Sequence, residues 1–253
     1  MAAVRSTYAP ASGTRLAANS VRLLSTCTVA FALFALTPAQ AEISSEVKLQ
    51  TDDRFRGRSL SDGRPVIDGD ISIDLASGIY AGGSVAFILT GKDRAGLQGV
   101  DAYLGYAALI NEEVTVDLGI AGYRFTQRYS GNNADQYAEI YAGLSADGFA
   151  AYVHYTPNYF DKSVPVIYAD LNFARAIDDH LTVKAHAGLL AQTSGPARLG
   201  RKSARYDTRL SISRPVLGFQ AEFAWTYAGR NDGYFAGPWN GNSAIIFSIS
   251  KHF

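Results

Sequence analysis

The sequence predicts an all-β protein: a closed antiparallel transmembrane β-barrel of about 12 strands, with short periplasmic turns and longer extracellular loops. Three observations predict it. Apolar and polar residues alternate with a period of two after residue 42, the connections between alternating segments are long and short by turns, and the chain closes on an apolar-alternating segment that ends in Phe253. The composition agrees, since 24 Gly, 15 Tyr and 13 Phe stand against 2 Trp and 1 Met, a mixture suited to strands and turns rather than packed helices. Lys+Arg and Asp+Glu are both 23, so the basic surplus of a nucleic-acid-binding protein is absent. A single Cys excludes intrachain disulfides and Cys-based zinc or iron–sulfur sites.

In chain order, the leader comes first. Arg15 and Arg22 precede an uncharged, mostly apolar run from Leu23 to Leu36, which Pro38 breaks before Ala39-Gln40-Ala41. This is the layout of a secretory signal peptide over residues 1–41, with cleavage after Ala41 and a mature barrel over 42–253. The run of about 14 residues falls short of the roughly 20 that a spanning helix needs. Cys27 lies inside the run after Thr26, which disfavours a lipoprotein. Cleavage removes Arg5, Arg15 and Arg22 but no acid, leaving a slightly acidic chain without Cys or Met.

Twelve alternating segments follow, near 43–57, 65–76, 79–90, 98–110, 114–127, 135–146, 149–156, 164–176, 180–192, 203–215, 218–228 and 243–253. In one, Ile67, Gly69, Ile71, Ile73 and Leu75 alternate with Asp68, Asp70, Ser72 and Asp74; in another, Phe219, Ala221, Phe223, Trp225 and Tyr227 alternate with Gln220, Glu222, Ala224 and Thr226. Tight connections fall at 77–78, 111–113, 147–148, 177–179 and 216–217, and longer ones at 58–64, 91–97, 128–134, 157–163, 193–202 and 229–242. With both termini periplasmic, every long loop is extracellular. Lipid requires closure, because a bilayer core offers no water to unpaired backbone groups. A water-soluble barrel would turn the oily parity inward. Aromatic residues near the ends of that parity, Phe149, Tyr155, Phe219, Trp225, Tyr227 and Phe253, instead suit girdles at two membrane interfaces.

Ile245, Phe247, Ile249 and Phe253 share one parity, similar to the terminal-strand signal by which outer-membrane proteins are recognised for assembly. Phe247, Ile249 and Phe253 are therefore the candidate assembly signal, and the barrel-assembly machinery a partner during biogenesis. Lys251 departs from the pattern, and its long side chain can snorkel to the interface.

Parity turns Glu46, Lys48, Asp52, Arg54 and Arg56 of the first segment inward beside Asp68, Asp70 and Asp74, with Glu139, Asp170, Lys184, Arg205, Asp207, Arg209 and Glu222 on other segments. Two readings of this lumen stay open: ion pairs that fill a narrow interior, or a constriction that sorts small solutes by charge. His154, His186 and His252 also point inward and His180 sits at a turn, but no Gly-x-Ser-x-Gly elbow or zinc-spaced His pair accompanies them. No enzyme activity, metal or cofactor is expected. The last loop holds Tyr234, Phe235, Pro238 and Trp239, enough aromatic surface to plug the lumen or to bind a partner.

Thr51-Asp52-Asp53-Arg54-Phe55-Arg56-Gly57-Arg58-Ser59, then Pro65-Val66-Ile67-Asp68-Gly69 and Ser77-Gly78-Ile79-Tyr80-Ala81-Gly82, resemble the N-terminal block of the Gcw_chp family of exported proteobacterial proteins of unknown function. The ending Ser250-Lys251-His252-Phe253 is similar to that family's terminus. Asp53 and Asp68 stand where the family generally has an aromatic residue and Gln. The resemblance implies an outer-membrane β-barrel and supplies no substrate or catalytic residue. The expectation is thus a porin-like or structural barrel in a Gram-negative outer membrane, with lipid and small solutes as partners and no nucleic acid. A loop-mediated adhesive barrel and a soluble periplasmic binding barrel are the alternatives.

Overall fold

The computed structural model describes residues 41–90, 94–126, 135–161, 164–194, 204–229 and 243–253. Residues 1–40 of the expected leader, and Tyr234, Phe235, Pro238 and Trp239 of the last loop, lie outside them. In chain order the strands are β1 (Ala41–Gln50), β2 (Arg54–Phe55), β3 (Arg58–Ser59), β4 (Val66–Leu75), β5 (Ile79–Thr90), β6 (Arg94–Leu109), β7 (Thr115–Phe125), β8 (Asp135–Ala146), β9 (Phe149–Thr156), β10 (Val166–Asp178), β11 (Leu181–Gln192), β12 (Ala204–Val216), β13 (Phe219–Ala228) and β14 (Ser243–His252). Twelve of them pair antiparallel, each with its neighbours in sequence, into a closed barrel, while β2 and β3 form a separate two-stranded sheet.

The barrel closes where β14 meets β1, in a register from Glu46↔His252 to Gln50↔Ser248. Phe253 and Ser45 exchange both backbone hydrogen bonds beyond it, at 2.9 and 3.3 Å. The terminal strand therefore completes the sheet and leaves no open edge along this seam, as a sheet in lipid requires.

Alternation sets the two faces as expected. On β8, Tyr137, Glu139 and Tyr141 are buried inside while Ile140 and Leu144 are exposed outside. Leu118, Ile120, Leu210, Phe223 and Phe247 extend this apolar outer surface around the barrel. Such a continuous apolar exterior is far larger than a water-soluble monomer exposes. Aromatic pairs mark its two rims: Phe149 with Phe173 at the turn end (centroids 4.7 Å apart), and Trp225 with Tyr227 (6.2 Å) at the loop end.

Of the boundaries that differ from the sequence reading, four bear on the connections. β1 stops at Gln50 instead of running to residue 57, because the following segment leaves the wall. β6 starts at Arg94, so only 91–93 separate it from β5. The β10–β11 turn lies at 179–180, with the Asp178 carboxylate accepting the His180 N–H at 2.7 Å. The β12–β13 turn is Leu217-Gly218 rather than 216–217; its φ values of 51° and 81° match the positive-φ two-residue turn also made by Asp147-Gly148.

One regularity of the inner face escaped the sequence reading. Tyr80 lies opposite Gly105, Tyr103 opposite Gly82, Tyr141 opposite Gly119 and Tyr152 opposite Gly143, each as a directly paired cross-strand couple. In every case a methyl group added to the glycine would fall on the tyrosine ring or hydroxyl. The ring lies flat over bare backbone, which lets large side chains line a narrow interior. Gly119→Ala is therefore predicted to cost about 1–3 kcal/mol by overpacking against Tyr141. Gly122→Ala on the same strand is predicted to be nearly neutral, since its added carbon meets nothing within 4 Å. Equal unfolding midpoints for the two variants, read from the gel shift between folded and heated protein, would refute this account of the pairs.

Candidate functional site: the occupied lumen

The segment from Thr51 to Pro65 folds back into the loop end of the barrel. Its hairpin is tied together by Asp52, whose carboxylate accepts bonds from Arg54 Nε (2.7 Å), Ser59 Oγ (2.5 Å), Ser61 Oγ (3.0 Å) and the Gly63 N–H (3.3 Å). Asp53 fastens it to the wall: Gln50 Nε2 donates to it at 3.2 Å, and Gln98, buried at a bulge of β6, donates to its other oxygen. Asp52 and Arg54 thus lie in the lumen as parts of an inserted hairpin rather than of a barrel strand.

Arg56 is the innermost anchor. Its Nη2 donates to Glu139 Oε1 and Oε2 at 3.0 and 2.7 Å, and both residues are buried. The guanidinium lies 4.3 Å from the Tyr168 ring centroid and 4.9 Å from that of Phe55, so aromatic faces cover the charge that Glu139 leaves. Arg56 and Gly57 have φ values of 48° and 76°. Gly accepts this left-handed conformation freely, whereas at Arg56 it costs on the order of 1 kcal/mol. The strain aims the side chain at β8. On the other side of the turn, a Cβ built at Gly57 would stand 2.5 Å from Asp207 Cβ and 2.7 Å from Ala228 Cβ. The hairpin tip therefore bridges the lumen from β8 to the β12–β13 wall.

A second insertion meets it. The connection after β9 carries Tyr159, Phe160 and Val164 into the interior, where they pack with Phe55, Leu60, Tyr123, Phe125 and Tyr137 in one aromatic cluster. The Phe125 and Phe160 rings are 5.2 Å apart, and Tyr137 lies 5.2 Å from Tyr159. The sequence reading placed its plug candidate in the last loop; among the described residues it is the first and fourth loops that fill the lumen.

Beneath the hairpin a polar chain crosses the wall strands. Glu139 accepts from Tyr123 Oη at 3.1 Å and lies 3.0 Å from His154 Nδ1, while His154 Nε2 is 3.2 Å from Asp170. Asn172 donates to Asp170 and contacts His186 Nδ1 at 2.7 Å; His186 Nε2 is 2.9 Å from Asp207, which Tyr168 Oη also approaches at 3.3 Å. Arg205 is buried one inward position further toward the loop end of β12.

Toward the turn end the lining changes character. Lys184 and Arg209 meet on Glu222 at 3.1 and 2.5 Å, with side chains 38% and 32% accessible to solvent. Those accessibilities, inside the barrel, mean that water reaches this half of the lumen. Lys48 stands 3.9 Å from Asp68, and Glu46 3.8 Å from His252. The wall of β1 and β4–β7 otherwise presents carboxylates: Asp70, Asp74, Asp101 and Asp117. Asp117 is held by Tyr80 Oη (2.5 Å) and Tyr152 Oη (2.9 Å), and Asp101 by Ser84. Asp53, Gln98, Asp101 and Asp117 were not singled out from sequence. The parity rule applied to residues 98–110 and 114–127 finds Asp101 and Asp117, whereas the bulge conceals Gln98.

Known proteins match this architecture. In fold the chain is similar to the NanC porin, with a TM-score of 0.56 at 13% identity over 83% of this chain and 98% of that one. The KdgM porin aligns over 83% of this chain and 98% of its own at 10% identity, with a TM-score of 0.49. No curated protein sequence matches. A sequence profile described as "Bacterial protein of unknown function (Gcw_chp)" matches residues 35–253.

Proposed function

We propose that this chain, which belongs to the Gcw_chp family of bacterial proteins of unknown function, is a small porin-like channel of a Gram-negative outer membrane, exported by a cleaved leader and passing small solutes through a charge-lined lumen. One observation carries the choice of channel over solid structural barrel. Lys184 and Arg209 remain about one-third accessible inside the barrel, opposite the carboxylates of β4, β6 and β7. A lumen packed solid with side chains would shut water away from Lys184 and Arg209, whereas both keep access to it beside Glu222. The apolar exterior and its two aromatic rims support the membrane setting, with the short turns periplasmic and the long loops outside. The outward Phe247, Ile249 and Phe253 of the closing strand support recognition by the assembly machinery. The reading assigns no catalysis: His154 and His186 sit among carboxylates, an amide and phenols, with no Ser nucleophile in the contacts they make.

The test is conductance of the purified protein in planar bilayers. Discrete current steps are expected, and their reversal potential in a salt gradient is predicted to favour cations, because Lys48 is the sole described basic side chain on the inward parity of β1 and β4–β7. Asp70→Asn combined with Asp74→Asn should reduce that preference. Steps that favour anions in both proteins would reject the assignment of the acidic wall as the filter. Absence of steps in every variant would reject the channel.

A further inference from the structure

We infer that the Thr51–Pro65 segment is the channel's gate, a hairpin latched in the lumen by Arg56 and withdrawn toward the loop end when the channel conducts. The inference rests on the channel reading above and adds its regulation. It also assigns a task to the Asp52–Ser59 stretch, one of the blocks on which the family resemblance was drawn.

Among the described residues, β2 and β3 are the only strands outside the barrel sheet, and they pair with each other through just Arg54↔Ser59 and Phe55↔Arg58. No ladder joins them to the wall, so the hairpin can leave without breaking the barrel. Its internal bonds move with it: Asp52 with Arg54, Ser59, Ser61 and Gly63, and the Leu60 N–H with the Asp53 carbonyl at 2.7 Å. The hairpin is a preformed rigid piece.

The hairpin's ends are tied to the rim by Thr51 N–H to Phe247 O (3.0 Å) on one side and by Leu89 N–H to Pro65 O (2.8 Å) on the other. Between these ends, side-chain contacts hold it on the wall at two depths, among them Asp53 with Gln50 and Gln98 near the rim and Arg56 with Glu139 within. Next to Arg58 and Ser59, Phe55 and Leu60 pack on Tyr159 and Phe160 of the other inserted loop, and on the wall Phe55 meets the Tyr123 and Phe125 rings of β7 at 5.5 and 6.0 Å. The deep hold on β8 is an ion pair, between the strained turn residue Arg56 and a carboxylate that Tyr123 and His154 also contact. When Arg56 leaves, those two groups remain on Glu139, so the carboxylate keeps partners in the open state.

The tip touches Asp207 and Ala228 across the lumen from Glu139, so the hairpin lies across the solute's route and not beside it. Toward the turn end from it the lumen is wet at Lys184 and Arg209; at its own level Phe55, Leu60 and Tyr159 are buried. The same barrel is therefore open on one side of the hairpin and sealed at it.

The experiment uses the full mature chain in planar bilayers. It compares the wild type, a variant with residues 54–59 replaced by a Gly-Ser linker of the same length, and the double substitution Gly57→Cys with Ala228→Cys. The mature chain contains no other Cys, so oxidation can join the tip only to β13. The linker variant should stay open, at least tenfold more of the time than the wild type. The oxidised double-Cys protein should be silent and conduct on reduction, then open more often than the wild type because a side chain at Gly57 crowds Asp207. Wild-type and linker proteins with the same step size and open fraction would overturn the gate while leaving the channel intact. Oxidised protein that conducts like the reduced form, with the disulfide verified by mass, would overturn it as well. Silence of the linker variant, once its gel shift shows a folded barrel, would instead count against the channel itself.

Discussion

Glu139→Ala is expected to weaken the docked hairpin by about 3–5 kcal/mol, the cost of leaving one partner of a buried ion pair unmatched. Arg56 would then hold an uncompensated guanidinium among Phe55, Tyr159 and Tyr168. Water is the better solvent for it, so the hairpin should be expelled while the β-barrel persists. Limited proteolysis reads this directly: cleavage at Arg54, Arg56 and Arg58 should be slow in the wild type and fast in Glu139→Ala. The double variant Arg56→Ala with Glu139→Ala should be less damaged than Glu139→Ala alone, because both charges leave together and Phe55 and Leu60 still pack. If the double variant is as easily cleaved as the single one, the ion pair is not what holds the hairpin.

Ile120→Arg has the second large expectation. Ile120 lies at the centre of β7, faces outward and is 54% exposed. In a water-soluble barrel an exposed substitution of this kind changes stability by less than roughly 0.5 kcal/mol. In a bilayer it places a guanidinium near the midplane of the apolar band, for a loss of about 2–4 kcal/mol. Leu109→Arg, at the turn end of β6, should cost no more than about 1 kcal/mol, because charge near the interface is tolerated. Urea unfolding of the three proteins in lipid vesicles measures the difference. A flat response across both positions would reject the outer face as a lipid surface.

Much of the barrel was legible in the sequence because its rule is local. A two-residue alternation such as Ile67 to Leu75 assigns faces without reference to any partner strand, and turn chemistry such as Asp147-Gly148 fixes where the chain reverses. The same rule carried the β1 assignment too far. Residues 51–57 still alternate to the eye, yet Arg56 and Gly57 adopt positive φ and turn the chain back. Glu139, Asp207 and Glu222 share the inward parity of their strands, but nothing in their spacing says which cation each one meets.

The sequence by itself determined twelve spans, their inward and outward faces and the closing role of the terminal strand, since each follows from neighbours along one segment. Only the tertiary structure decided that the first loop enters the lumen, that Arg56 finds Glu139 across 83 residues of sequence, and that Tyr80, Tyr103, Tyr141 and Tyr152 each rest on a glycine of the next strand. Those facts depend on the barrel's width and on strand register. Closing the sheet creates a cavity whose wall groups must be solvated or paired, and which segment supplies the partners is settled by what fits that cavity rather than by any periodicity in the chain.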